Sequence, residues 1–258
     1  MKMLIVSDIH ANWPALRAVL EAESDAGGVL CLGDLVNFGP QPAECVAWAD
    51  QILPPEGVIQ GNHDYAVGFD EDPHCSPAFA PVAAATQEFT RRLLTPEMKE
   101  FLAELEPMRS FKSGKGKCVA CHASPKDPLY HYMAETASAT LWESEVVRAG
   151  LPDFLFLGHT HVPMKTRLMK TLIVNPGSVG LPQDGDARAA YAIWEDGDVT
   201  LRRAPYDVEE TVRAYDGLGL PAHILHQITG ALRTGKGPAV EHFDGTAKTP
   251  ARTVSSKP

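Results

Sequence analysis

No stretch of this 258-residue chain approaches the ~20 consecutive apolar residues that cross a bilayer, so no membrane-spanning helix is expected. Cysteine is scarce and odd in number. Cys31, Cys45, Cys75, Cys118 and Cys121 are irregularly spaced, which is not the pattern of a secreted disulfide framework. Cys118 and Cys121 have redox-motif spacing but lie in an apolar run, and are read as two residues of a strand. Positive charge is also short: 23 Lys and Arg against 33 Asp and Glu leave a formal net charge of −10. That argues against an extended nucleic-acid surface, which needs clustered basic residues. It leaves a small phosphate ester, possibly a nucleotide, as a substrate, because bound metal ions supply local positive charge. There is no internal repeat and no low-complexity tract. The N-terminal run meets Asp8 too soon for a signal peptide, so a cytoplasmic location is expected. Nothing in the sequence specifies an oligomeric state.

What is present fits an ordinary globular protein, with 44% hydrophobic and 22% charged residues. A layered α/β domain of this length buries a large core. We expect one domain over residues 1–234, with a helical insert at about 65–106. Residues 235–258, polar and poor in large apolar side chains, are expected to form a flexible tail.

Residues 3–7 are a short apolar run, expected as a buried strand. Asn12 offers an N-cap, and Trp13-Pro14 opens a helix with Leu16, Val19 and Leu20 at helical spacing. A second strand over Val29–Leu32 ends at Gly33-Asp34. A helix over Pro42–Ala49 and a third strand over Gly57–Gln60 follow. This alternation predicts a parallel sheet covered by helices. All three strands run into chemically capable residues, and in open α/β sheets the site lies at the carboxyl ends of strands. Residues 65–80 read as loop, and 82–105 as amphipathic helices split near Pro96. Hairpins are expected from Met108–Lys112 with Lys117–His122, Pro163–Leu168 with Thr171–Val174, and Tyr191–Trp194 with Val199–Arg203 around Asp196-Gly197. Ser138–Ala149, Val208–Asp216 and Ala222–Leu232 read as helical, and Phe154–Leu157 as a strand.

Each candidate site residue has a plain structural alternative. Asp8 and His10 lie two apart at a strand end and suit transition-metal ligation, but Asp8 could equally cap a helix. Asp34 follows a glycine and is able to bridge two cations, yet also suits a turn. Asn62 is a neutral oxygen ligand, His63 could donate a proton, and Asp64 could orient its ring. A lone His122 at a strand end is more often structural. His159 and His161, flanking Thr160 after an apolar strand, are harder to dismiss. His74, His131, His223, His226 and His242 lack such context, though His131 could reach a substrate. The joint placement of all seven candidate ligands directly after strands favours a site. Its donors are N and O rather than thiolates, which argues against structural zinc.

With these blocks in order, the chain resembles the calcineurin-like metallophosphoesterases. The family pattern of Asp-x-His, Gly-Asp, Gly-Asn-His-Asp, a lone His and Gly-His-x-His spans residues 8–161. The resemblance implies a four-layer αββα fold, with two mixed β-sheets in a sandwich flanked by helices. It implies that Asp8, His10, Asp34 and His161 hold one metal, and that Asp34, Asn62, His122 and His159 hold the other. His63 would be the general acid and Asp64 its partner. Asn175-Pro176-Gly177-Ser178 is similar to a block of the small prokaryotic phosphodiesterase branch. The protein serine/threonine phosphatases of the family carry phosphate-gripping arginines after the second and third blocks. Residues 35–40 and 65–68 contain none.

The expectation is therefore a binuclear phosphoric ester hydrolase, with manganese favoured and nickel, iron, zinc or cobalt compatible. A phosphodiesterase acting through a hydroxide shared by the metals is the favoured reading. A phosphomonoesterase of protein-phosphatase type or a dinucleoside polyphosphate hydrolase is the alternative. A non-catalytic scaffold is disfavoured because every ligand and His63 are in place.

Overall fold

The computed structural model describes residues 2–237. The first apolar run forms β1 (Met3–Val6), paired in parallel with β2 (Val29–Cys31). On its other side β1 pairs antiparallel with β8 (Ala189–Glu195), and β9 (Asp198–Ala204) completes a four-stranded sheet of order β2-β1-β8-β9. A second sheet has the order β3-β4-β5-β7-β6, built from β3 (Met108–Ser113), β4 (Gly116–Cys121), β5 (Phe154–Phe156), β6 (Met164–Leu168) and β7 (Thr171–Asn175). Its three central strands are parallel and both edges antiparallel.

The period-2 alternation of side chains sorts the layers. Ile5, Leu30, Cys118, Ala120, Phe154, Phe156, Ala192 and Trp194 meet between the sheets. There the Trp194 ring lies 4.9 Å from that of Phe154 and 5.3 Å from that of Phe156. Leu4, Val6 and Cys31 face outward onto α1 (Trp13–Ala22) and α2 (Pro42–Ile52). Val119, Cys121, Leu155 and Ile173 face outward onto Trp142 and Val146 of α6 (Ala139–Arg148). This is the four-layer αββα sandwich of two mixed sheets that the resemblance implied. Cys118 and Cys121 are strand residues, one on each face of β4.

Three expectations are corrected. The alternation of the first 60 residues predicted a parallel sheet, but the sheet is mixed because β8 and β9 return antiparallel beside β1. The third strand over Gly57–Gln60 reduces to one bridge between Cys31 and Val58. A single 3-10 turn over Pro55–Gly57 precedes it, and Gln60 N–H bonds Glu106 O instead of a sheet neighbour. Residues 65–69, expected as loop, belong to α3 (Asn62–Phe69). That helix lacks an apolar stripe, and its first amides are satisfied by carboxylates from the site itself.

The insert continues as α4 (Ala80–Leu93) and α5 (Pro96–Glu104), split at Pro96 as expected. With α7 (Val208–Arg213) and α8 (Ala222–Thr234), α4 builds a separate apolar cluster that includes Phe38. Residues 235–237, expected to begin a flexible tail, are tied to the body. Gly185 N–H donates to Gly235 O at 2.8 Å, and Gly237 N–H to Gln183 Oε1 at 2.7 Å. The remainder of that segment, with His242, lies outside the described residues. Among the described residues no helix is long and apolar enough to cross a membrane.

Candidate metal centre

The loop after β1 is zipped to the loop after β2 by backbone bonds. Asp8 N–H donates to Gly33 O (3.0 Å), His10 N–H to Asp34 O (2.9 Å) and Ala11 N–H to Leu35 O (2.9 Å). On the other side Gly180 N–H donates to Asp8 O at 3.0 Å. Ser178 Oγ donates to Asp8 O (2.7 Å) and accepts from Leu181 N–H (2.7 Å). Asn175 clamps the loop that carries His159 and His161, donating to Gly158 O (2.7 Å) and Thr160 Oγ1 (3.0 Å). The Asn175–Ser178 block thus scaffolds the site. The φ angles of Asp8, His10, Asp34, His159 and His161 are 53°, 46°, 57°, 67° and 58°. Left-handed backbone at non-glycine residues costs ~1–3 kcal/mol each and persists where surrounding structure enforces it.

The structure brings all seven sequence-derived candidate ligands together. Asp8, His10 and His161 form one cluster, and Asp34, His122 and His159 a second. Asn62 joins the second through Oδ1, 3.0 Å from His122 Nε2. Asp34 Oδ2 lies 3.6 Å from His10 Nε2 and 3.3 Å from His122 Nε2, so one oxygen faces both clusters. The helix-cap reading of Asp8 is not what forms: Asn12 caps α1, and Asp8 accepts from His159 N–H at 3.1 Å.

The donor set fits cations because hydrogen bonds fix the imidazole tautomers. His10 Nδ1 meets Val36 O at 3.1 Å, His122 Nδ1 meets Leu32 O at 2.7 Å and His161 Nδ1 meets Leu181 O at 2.6 Å. A carbonyl only accepts, so each of these rings carries its proton on Nδ1 and leaves a lone pair on Nε2. The Nε2 atoms of His10 and His161 then face each other at 3.0 Å with no proton between them. His122 Nε2 likewise faces Asn62 Oδ1, whose own Nδ2 is committed to Pro73 O at 2.7 Å, and the Asp34 carboxylate. So many buried acceptors converging on one another call for positive charge, from a cation or from a protonated ring. The field favours positive charge there: burial opposes protonation of His122, yet Asp34 and Asp8 raise it to about 9, so without a cation the ring itself takes up the charge. Burial likewise opposes ionisation of Asp34, but His122 and His63 hold its carboxyl well below the usual range. Burial raises the carboxyl of Asp8.

His63, at the second position of α3, is oriented differently from the expectation. Asp64 does not hold its ring. From the third helical position the Asp64 carboxylate turns back onto backbone amides, accepting from Asp34 (2.7 Å), Leu35 (2.8 Å) and Gly61 (3.0 Å). This is the reach of a capping carboxylate toward unpaired helix N–H groups. The partner of His63 is Asn37, whose Nδ2 lies 2.8 Å from His63 Nδ1. Phe38 N–H donates to Asn37 Oδ1 at 3.0 Å and Thr86 Oγ1 to the same oxygen at 2.6 Å. The amide oxygen must face those donors, so its NH₂ faces His63. Nδ1 accepts, and the imidazole proton sits on Nε2. Burial lowers His63 to about 4, against the pull of Asp34. Asn37 was missed in the sequence; its signal was its position three residues after Asp34. His131, which the sequence left able to reach substrate, instead bonds Ser124 Oγ at 3.0 Å, lies 3.7 Å from Glu145 and does not line the cavity.

Above the clusters opens a cavity of about 700 Å³, lined by Asp34, His63, His159 and His161 at its base. It is also lined by Phe38, Phe79, Tyr132, Met133, Val162 and Met164, and among the described residues Lys236 is its only Lys or Arg.

Residues 1–197 match the model of the calcineurin-like phosphoesterase superfamily domain. The uncharacterized protein MJ0912 of Methanocaldococcus jannaschii is 32% identical over 227 residues, covering 80% of this chain and 88% of that protein. Phosphodiesterase YfcE of Escherichia coli K12 is 27% identical over 205 residues, covering 76% of this chain and 88% of its own. A crystal structure of a metallophosphoesterase from Sphaerobacter thermophilus superimposes with a TM-score of 0.75 at 31% identity, covering 91% of this chain and 99% of the other.

Proposed function

The chain belongs to the calcineurin-like phosphoesterase superfamily, and on that premise we propose that it is a phosphodiesterase working with two metal ions. One observation carries the proposal. Two clusters of buried acceptor atoms share Asp34 Oδ2 at the base of an open cavity. Asp8, His10, Asp34 and His161 would hold one cation, and Asp34, Asn62, His122 and His159 the other. Such a pair, when bound, supplies charge neutralisation at the phosphoryl oxygens and a water acidified toward a pKa of ~7. Manganese suits this N/O set, as do nickel, iron, zinc and cobalt.

The chain's own groups supply the rest. Backbone bonds and left-handed residues hold the donors in place before substrate arrives, so little reorganisation accompanies reaction. His63 keeps a proton on Nε2, the nitrogen that Asn37 leaves for the cavity, and from there donates a hydrogen bond that stabilises charge on the departing oxygen, which takes its proton from water. Among the described residues no arginine lines the cavity. A dianionic monoester gains most from a bidentate guanidinium clamp, whereas a monoanionic diester depends on it less. The similarity to a protein named as a phosphodiesterase agrees.

Reconstitution with Mn²⁺ or Ni²⁺, followed by comparison of bis(p-nitrophenyl) phosphate with p-nitrophenyl phosphate, tests the reading. Faster turnover of the diester is expected. Faster turnover of the monoester would replace it with the phosphomonoesterase alternative, and no turnover with any divalent metal would revive the scaffold. His63→Ala is expected to cut kcat on alkyl-leaving-group diesters ~10²–10⁴-fold while metal content is retained. Metal lost in step with activity would place His63 in ligation instead.

A further inference from the structure

The cavity is larger than a phosphoryl group and two cations require, and lies within the ~300–1,000 Å³ range of sites for whole small molecules. Beyond the candidate ligands its lining is mostly apolar, with aromatic rings and methionines set among a few polar groups. The Phe38 ring centroid lies 4.9 Å from that of His10 and 4.8 Å from that of His63, and Phe79 meets Phe38 edge-on at 5.7 Å. Tyr132, also in the lining, covers the His159 ring at 3.8 Å. Rings therefore pack against candidate ligands of both clusters.

Phe38 is held there against backbone preference. Its φ is 61° and that of Asn37 is 68°, left-handed values unusual for a bulky side chain. Three bonds enforce the turn: Phe38 N–H to Asn37 Oδ1 (3.0 Å), Tyr215 Oη to Phe38 O (2.8 Å) and Gly39 N–H to His10 O (3.0 Å). Strain that neighbouring structure sustains at a site marks a residue placed for use. Glu135, Thr136 and Lys236 also line the cavity and offer both donors and acceptors. A plain hydrocarbon ring has no use for them, but a nucleobase edge does.

Resting on the phosphodiesterase reading above, we propose that the outer cavity is a subsite for a nucleobase on the substrate's non-leaving ester arm. The base stacks against Phe79 and Tyr132, with Phe38 closing the inner end. The substrate class is then a nucleotidyl diester.

Three esters sharing one leaving group isolate the subsite: methyl, phenyl and thymidine 5′ p-nitrophenyl phosphates. The metal-reconstituted full chain should cleave the thymidine ester with kcat/KM ~10-fold or more above the methyl ester, the scale of one base stack on an aromatic side chain. Phe79→Leu and Tyr132→Leu should lower that ratio ~5-fold. Phe69→Leu, on the exposed face of α3, should leave it unchanged. Equal rates for methyl and thymidine esters overturn the subsite while leaving the diesterase reading intact. A phenyl ester as good as the thymidine ester overturns the assignment to a nucleobase. Should no ester turn over, saturation-transfer NMR with thymidine 5′-monophosphate separates the two ideas. Binding weakened by Phe79→Leu supports the subsite without the activity, and absent binding overturns it.

Discussion

At the scale of single residues, Asp34 and Asn37 carry the sharpest tests of the proposed chemistry. Asp34 Oδ2 lies within 3.6 Å of an imidazole nitrogen of each cluster, and its other oxygen accepts from His63 N–H at 2.9 Å. Asp34→Asn keeps that shape but removes the charge two cations would share. Metal content by plasma mass spectrometry is expected to fall from about two per chain to one or fewer. Two retained metals would contradict the bridge. Asn37 acts on His63 through the choice of tautomer. Asn37→Asp preserves the acceptor for Phe38 N–H and Thr86 but turns an oxygen toward His63 Nδ1. The imidazole proton should then move from Nε2 to Nδ1, and the imidazolium should become easier to form. Nitrogen-15 NMR of the ring reads this directly; an unchanged Nε2–H signal would remove Asn37 from its assigned role.

At the scale of elements, the site depends on turns that only small residues allow. A Cβ on Gly61 would lie 2.1 Å from Asp34 Oδ1 and 2.4 Å from Asp34 N. Neither atom is free to retreat, because the carboxylate bonds His63 N–H and the amide bonds Asp64. Gly61→Ala should therefore cost ~1–3 kcal/mol of stability, the usual range for overpacking, and also weaken metal binding by displacing Asp34. A urea titration and a metal titration on the same variant check both. Full metal affinity in a destabilised variant would separate the turn from the site. The same economy explains α3: Asp34 and Asp64 satisfy its first amides, so the candidate ligand Asp34 also serves helix initiation.

At the scale of the whole molecule, the first strand must stay fixed between β2 and β8 for the Asp8 loop to hold. Buried Glu23, closing α1, contributes. Its carboxylate lies 2.6 Å from Lys2 Nζ and accepts from Tyr191 Oη (2.7 Å) and Arg202 (2.8 Å). Burial opposes its ionisation, but these partners hold the folded pKa below its usual value. The unfolded-chain value is ~4.3, so the stabilisation is fully present above that pH and is lost as pH falls through the lower folded value. Glu23→Gln should cost ~1–3 kcal/mol at pH 7, the worth of hydrogen bonds to a charged group. The gap to the wild type should narrow below pH 4 as Glu23 protonates. Urea titrations across pH 3–7 test this, and a gap constant over that range would exclude the network as a source of acid sensitivity.

What the amino-acid order determined by itself was local. Apolar runs of four to seven residues set most strands, Pro96 split the insert, and polar residues directly after strands named all seven candidate ligands. Short-range pattern suffices there because strand period, turn chemistry and ligand type are properties of neighbours in sequence. Pairing was decided elsewhere. The return of β8 beside β1 made the first sheet mixed, and the loss of a third strand followed from where Gln60 found its partner. The exchange of Asp64 for Asn37 beside His63 likewise depended on which groups the fold left unpaired. Each of these choices is a competition between donors and acceptors distant along the chain, and only the folded arrangement fixes which of them meet.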